Sequence, residues 1–239
     1  MSQMNPMSQM SQMNPVNQMN PMNRTRLVAV SAGLSTPSST RLLADRLVQS
    51  ARDDLAERGQ EAETHVVELR DLAVAVANNL VTGFPAPPLA AAIDAVTGAH
   101  GLIVVTPVFT ASYSGLFKSF FDLIDPDALT GKPVLVAATG GTARHSLVLD
   151  HALRPLFSYL RAVVVPTGVY AASEDWGSGG DAYTEGLPGR VRRAGGELAE
   201  LMSRGRGEEG QEEQEEQEGH EADDDVTALE RQLSDLRFD

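Results

Sequence analysis

Three short segments concentrate the residue types that can hold a ligand. The first, Ser31-Ala32-Gly33-Leu34-Ser35-Thr36-Pro37-Ser38-Ser39-Thr40, has six hydroxyls in ten residues. It lies between a Val-rich run and an amphipathic stretch, the place of a strand-to-helix loop. Such a junction offers backbone N–H groups, hydroxyls and a helix N-terminus, which together suit a phosphate. The spacing is neither GxxxxGK[ST] nor GxGxxG, which disfavours a P-loop ATPase and a dinucleotide fingerprint. Hydroxyls and amides alone fit a phosphate monoester better than a metal-bound triphosphate. The plainer reading is an ordinary Ser/Thr N-cap after a turn.

The second segment is Thr106-Pro107-Val108-Phe109-Thr110-Ala111-Ser112-Tyr113-Ser114-Gly115. Pro107 bars helix at Thr106 and holds the chain extended. Two aromatics and two small apolar residues then offer a surface for a flat ring, with hydroxyls to orient it. The competing reading packs Phe109 and Tyr113 beneath the following helix. The third segment is Ala138-Thr139-Gly140-Gly141-Thr142. Its two glycines allow a close backbone approach to a ligand.

Other chemistries have less support. The chain has no cysteine, which excludes a thiol nucleophile, thiolate zinc, iron–sulfur ligation and a disulfide-stapled fold. No two histidines stand at metal-ligand spacing. His65 and His100 lead into strands and read as structural; His145 is the one histidine beside the third segment. Ser31 has no GxSxG elbow, which argues against a hydrolase. Lys118 and Asp122, four apart, read as a helical ion pair, with an interface contact as the sharper alternative. A net charge of −14 argues against nucleic-acid binding. No run of about 18 apolar residues is present to span a membrane.

These segments need elements to position them. Val-rich runs at Leu27–Ser31, His65–Leu69, Gly101–Val105, Val134–Ala138 and Ala162–Val165 read as strands. Helical patterns separate or follow them: Leu42 to Gly59, Pro88–Val96, Ser114–Ile124, Ser146–Leu160 and Leu187–Met202. Strands apolar on both faces, alternating with helices, belong in a parallel sheet covered on each side. Ligands of such sheets bind at the carboxyl ends of the strands. The three segments are the loops after the first, third and fourth strands.

The charge divides the chain further. Residues 1–23, a Met/Asn/Gln/Pro-rich repeat, carry no charged side chain, and residues 206–239 hold 14 acidic and 3 basic residues. Four segments are expected. Residues 1–23 are disordered, without the charged and apolar regions of a signal peptide, and a copper-binding role for their methionines is disfavoured. Residues 24–205 form one domain, and 206–225 form an acidic disordered tract. Residues 226–239 carry a short amphipathic stripe of Val226, Leu229, Leu233 and Leu236, which docks on this domain or on a partner subunit.

The loops resemble those of the NADPH-dependent FMN reductase family of the flavodoxin-like superfamily. Ser31, Leu34, Ser38 and Thr40 fall on positions of its phosphate loop GSxRxxSxN, although Thr36 or Pro37 stands where that loop has Arg. Residues 106–125, TPVFTASYSGLFKSFFDLID, are similar to its TPEYNGSIPGxLKNAIDW, with Phe109 replacing Tyr and Ser114 replacing Pro. GKPVLVAATGG matches its GKPxxxxSxGG. The likeness covers about residues 26–170 and is looser in the first loop. With EDWGSG at 174–179, it is greatest to an actinobacterial subgroup that partners luciferase-like monooxygenases.

The resemblance implies a doubly wound sheet of five parallel strands, order 2-1-3-4-5, with helices on both faces. It implies hydride transfer from NADPH or NADH to FMN, with no catalytic side chain and no metal. The implied flavin-binding residues are Ser31, Leu34, Ser38, Thr40, Thr106, Pro107, Val108, Phe109, Tyr113, Ser114, Gly115, Thr139, Gly140 and Gly141. The N–H groups of Gly140 and Gly141 would offset negative charge on the reduced ring. A cytoplasmic homodimer or homotetramer that hands reduced FMN to a flavin-dependent monooxygenase is the expectation. A quinone or azo reductase with permanently bound FMN is one alternative; flavin retention through desalting separates the two. A flavodoxin is another, although its TxTGxT loop is absent here. A receiver domain lacks its acidic residues, since Ser31-Ala32 and Thr106-Pro107 occupy those places.

Overall fold

The computed structural model describes residues 25–177 and 186–205; the expected terminal segments 1–23, 206–225 and 226–239 lie outside them. Strand β1 (Thr25–Ser31) leads to α1 (Ser39–Glu57), β2 (Ala62–Glu68), α2 (Leu69–Thr82) and α3 (Pro87–Thr97). Then come β3 (Gly101–Phe109), β4 (Ser112–Tyr113), α4 (Gly115–Phe121) and β5 (Pro133–Gly140). The chain continues through α5 (Arg154–Tyr159), β6 (Val163–Val164) and β7 (Val169–Ala172). A last helix, α6, spans 187–205.

The sheet order is β2-β1-β3-β5-β6, and these pairings are all parallel. β7 also pairs with β5 in parallel, so β6 and β7 together form the expected fifth strand, interrupted at residues 165–168. The expected order 2-1-3-4-5 is therefore present, with helices on both faces. Alternation along each strand sends successive side chains to opposite faces. Val28, Val30, Leu102, Val104, Val134 and Val136 pack with α2, α3, α4 and α5. Leu27, Ala29, Ile103, Val105, Leu135 and Ala137 pack with Leu43 and Leu47 of α1 and Leu198 and Met202 of α6. On the first face Phe117, Phe121 and Phe157 form an aromatic centre, with Phe117–Phe121 centroids 4.8 Å apart.

Several elements differ from the expected pattern. α2 was not apparent in the sequence. The helix expected over 146–160 is a π-helical turn at Leu149–Leu153 running into the short α5. β3 continues four residues past Val105 and closes with β4 into a hairpin, pairing Val108 with Tyr113 and Phe109 with Ser112. Among the described residues no single helix is long and apolar enough to cross a membrane.

The hairpin turn is unusual. Thr110 and Ala111 both adopt positive φ, 48° and 65°. A two-residue turn of this hand favours Asn-Gly, because a Cβ is strained there. Replacing Thr110-Ala111 with Asn-Gly should stabilise the ligand-free protein by about 1 kcal/mol. A domain of this size should then melt roughly 2–4 °C higher; an unchanged or lower melting temperature would show that the turn is relaxed.

Candidate functional site

The parallel register ends β1, β3 and β5 at one edge of the sheet. Ser31 lies opposite Val105, and Pro107 opposite Thr139. The three loops leave this edge together and enclose a cleft of about 560 Å³. Its walls include Leu34 and Thr40 from the first loop, Pro107, Val108 and Phe109 from the second, and Thr139, Gly140 and Gly141 from the third. A buried hydrogen bond of 2.8 Å joins the Thr40 and Thr139 hydroxyls and ties the first turn of α1 to the end of β5.

The first loop combines both readings of its hydroxyls. Ser38 is the N-cap of α1, and its Oγ accepts from the Arg41 N–H at 3.2 Å. The earlier N–H groups of the helix have no intrahelical acceptor, as at any helix start. Ser35 and Ser39 line the cleft. Ser31 is fully buried at the end of β1, and its hydroxyl has no hydrogen-bond partner among the described residues. Gly33 passes so close to Ser38 that a Cβ there would overlap its hydroxyl.

In the second loop Thr106 and Ser114 are buried and serve the fold. Thr106 Oγ1 accepts from the Ser114 N–H at 3.0 Å and donates to the Pro107 carbonyl. Ser114 caps α4 by accepting from the Phe117 N–H. Tyr113 packs on Phe117, with centroids 5.9 Å apart, and Gly115 opens α4 away from the cleft wall. Phe109 differs: 46% exposed, it stands in the cleft wall. Of the fourteen expected residues, eight line the cleft; Ser31, Ser38, Thr106, Tyr113, Ser114 and Gly115 do not.

Four lining residues are absent from the fourteen: Ser35 and Ser39, inside the first loop, and Ser173 and Trp176. The last two lie after β7, beyond the three loops singled out. The Arg46 guanidinium stacks 5.0 Å above the Trp176 ring, a cation–π contact that fixes the indole. Tyr170 stands behind the third loop and donates to the Thr142 carbonyl at 2.8 Å. Burial pushes the Tyr170 phenol above its ordinary pKa, and Asp175 and Glu174 add to the shift. The phenol therefore stays a donor through neutral pH.

The histidines and the ion pair divide as follows. His100 Nδ1 accepts from the Arg26 N–H at 2.8 Å, a structural role. His145 is exposed and does not line the cleft. Lys118 pairs with Asp122 along α4.

A larger cleft, about 780 Å³, lies between α1 and α6. Its walls include Asp53, Asp54 and Glu57. Burial, with Glu57 beside it, pushes the Asp54 carboxyl above its ordinary pKa. Arg46 and Arg192 stand in the same walls, so both signs of charge face that cleft.

An open parallel sheet in this order, with its cleft at the carboxyl ends of the strands, defines the flavodoxin-like class. The chain belongs to the NADPH-dependent FMN reductase family, whose model matches residues 25–177, and so is an NAD(P)H-dependent oxidoreductase acting on FMN. It is 43% identical over 188 residues to an FMN reductase (NADPH) of Pseudomonas aeruginosa, covering 77% of this chain and 95% of that protein. It is 42% identical over 177 residues to the NADH-dependent FMN reductase SfnF of Pseudomonas fluorescens, covering 74% and 91% of the two chains. Among solved structures, an oxidoreductase from Corynebacterium diphtheriae is 48% identical, with a TM-score of 0.72 over 76% of this chain and 98% of that one.

The close approach of Gly140 to Tyr170 gives a test of the third loop. A Cβ on Gly140 would overlap the Tyr170 hydroxyl. Gly140→Ala should destabilise the ligand-free protein by about 1–3 kcal/mol through overpacking. The same change should cost markedly less in a Tyr170→Phe background, read by urea unfolding of all four proteins. Strictly additive costs would show that the loop is not held against the phenol.

Proposed function

We propose that the strand-end cleft binds FMN for reduction by NADPH or NADH, and that the reduced FMN passes to a flavin-dependent monooxygenase. The observation that carries the site assignment is Phe109, a half-exposed aromatic in the wall of a cleft also lined by Gly140 and Gly141. An apolar ring left open to water at a strand end contributes little to the core, and it suits a flat ligand.

The surrounding groups fit a flavin mononucleotide. Leu34, Ser35, Ser39 and Thr40 would receive the phosphate at the start of α1, where unspent N–H groups and the helix dipole favour an anion. Val108 and Phe109 would face the ring. Gly141 has open space where a Cβ would stand, so the backbone can approach the ring closely. Its N–H and that of Gly140 would offset charge that develops there on reduction. FMN supplies the hydride-accepting chemistry; the chain binds, orients and shields it. Ser31, Ser38, Thr106, Tyr113, Ser114 and Gly115 act from behind, setting the backbone that makes these contacts.

The openness of the cleft supports exchange of FMN and hence its delivery to an oxygenase. Relatives named as NADPH- and NADH-dependent leave both nicotinamides as donors. The exposed apolar Val74, Leu80, Val81 and Phe84 of α2 and its following turn support a homodimer or homotetramer. A cysteine-free chain that uses NADPH suits the cytoplasm.

Titration of the apoprotein with FMN, followed by NADPH oxidation with and without added FMN, tests the reading. Activity that requires added FMN supports it; FMN retained through desalting, with turnover on quinones, would overturn it. Phe109→Ala should weaken FMN binding roughly tenfold or more, the scale of a lost aromatic stacking partner. The apoprotein's melting temperature should barely change. Unchanged FMN affinity would remove Phe109 from the site, and a large stability loss would make it a core residue.

A further inference from the structure

The first loop, from Ser31 to Thr40, contains no charged residue. A bound phosphate would bring about two negative charges onto neutral donors. Among the described residues two guanidinium groups, those of Arg41 and Arg70, stand beside the loop, and their charges are spent differently. Arg41, in the first turn of α1, is consumed by carboxylates: its Nε lies 2.8 Å from Asp45 and its Nη1 2.8 Å from Glu68.

Arg70 is the other. It sits in the first turn of α2, at the carboxyl end of β2, next to β1 in the sheet. Its Nη1 donates to the Thr36 Oγ1 at 2.6 Å and to the Ser35 carbonyl at 3.0 Å. Among the described residues its carboxylate contact is Asp71, the adjacent residue, at 3.4 Å. The Asp71 side chain is 69% exposed and that of Arg70 33% exposed. A long, water-exposed contact of this kind neutralises little charge. Arg70 is therefore a cation hydrogen-bonded to the loop itself, with much of its charge uncompensated.

The direction of one bond matters. Arginine only donates, so Thr36 Oγ1 accepts from Arg70 and its own hydroxyl proton stays free to donate onward. A hydroxyl that accepts from a guanidinium is a stronger donor than a free one, because hydrogen bonds in a chain polarise one another. The second bond fixes the Ser35 carbonyl and thereby sets the turn that carries the loop to the start of α1.

We propose that Arg70 is the positioning residue and counter-charge of the flavin-phosphate site, reaching the loop from the end of β2 and acting through Thr36 and Ser35. This rests on the assignment of the first loop to the phosphate. It sets Arg70 apart from a surface arginine by one property: its effect depends on the ligand's phosphate and not on its ring.

Riboflavin, which has the same ring and no phosphate, supplies the control. FMN and riboflavin are titrated separately into the full-length protein, Arg70→Gln and Arg70→Lys by quenching of flavin fluorescence, with melting of each apoprotein to verify folding. Arg70→Gln should weaken FMN at least about tenfold, the scale of one charge-assisted contact, and change riboflavin by less than twofold. Arg70→Lys should recover part of the loss, keeping the charge without the forked geometry. Added potassium chloride should weaken FMN binding to the parent more than to Arg70→Gln. Equal losses for both flavins, or no loss of FMN affinity, would overturn the proposal. A parent protein that binds FMN no more tightly than riboflavin would overturn the phosphate assignment beneath it.

Discussion

The parallel register of β1, β3 and β5 is the constraint from which the rest follows. All three strands are buried on both faces, so a one-residue slip would exchange the side chains meant for the two helical layers. Leu27 and Ala29 would face the aromatic layer, and Val28 and Val30 would face α1 and α6. The two cores thus fix where each strand ends, and the ends fall at one edge. Three loops that are distant in sequence then meet. The hydroxyl bond between Thr40 and Thr139, 99 residues apart, closes that meeting.

The cleft divides its work between side chains that hold and side chains that face outward. Thr106, Ser114 and Ser38 spend their hydroxyls on the backbone, capping helices and bracing the hairpin. They shape the wall of the cleft. The groups left unspent are of two kinds: helix N–H groups and hydroxyls at one end, and the ring of Phe109 with the glycine backbone elsewhere. Polar groups at one end and an apolar surface beyond it are the basis of the proposed fit to a ligand with a charged tail and a flat ring.

Much of this was legible in the sequence because the informative residues are local. Val-rich runs bounded by Gly, Ser and Pro marked the strands, and the hydroxyl-rich first loop marked the start of α1. Where local pattern was weak, elements were missed. α2 reads LRDLAVAVANNLVT, with apolar residues all round the helix, exposed Val74 and Val81 among them. Its buried residues Leu69, Val76 and Asn79 share one face, but exposed apolar residues blur that stripe, and no side chain caps the helix. Pro166-Thr167-Gly168 hid the second half of the fifth strand, and the π-turn at Leu149–Leu153 broke the period expected of a single helix. Trp176 as a lining residue and Arg70 as a partner of the first loop were invisible for a different reason: tertiary structure alone brings them to loops that precede them in sequence by tens of residues.

The most direct test of the site is the position of FMN in a crystal structure of its complex with the full-length protein. The phosphate is expected within hydrogen-bonding distance of the N–H groups that open α1, and the isoalloxazine between Phe109 and the Gly140–Gly141 backbone. A flavin in the cleft between α1 and α6, or one whose phosphate lies away from the first loop, would contradict that placement.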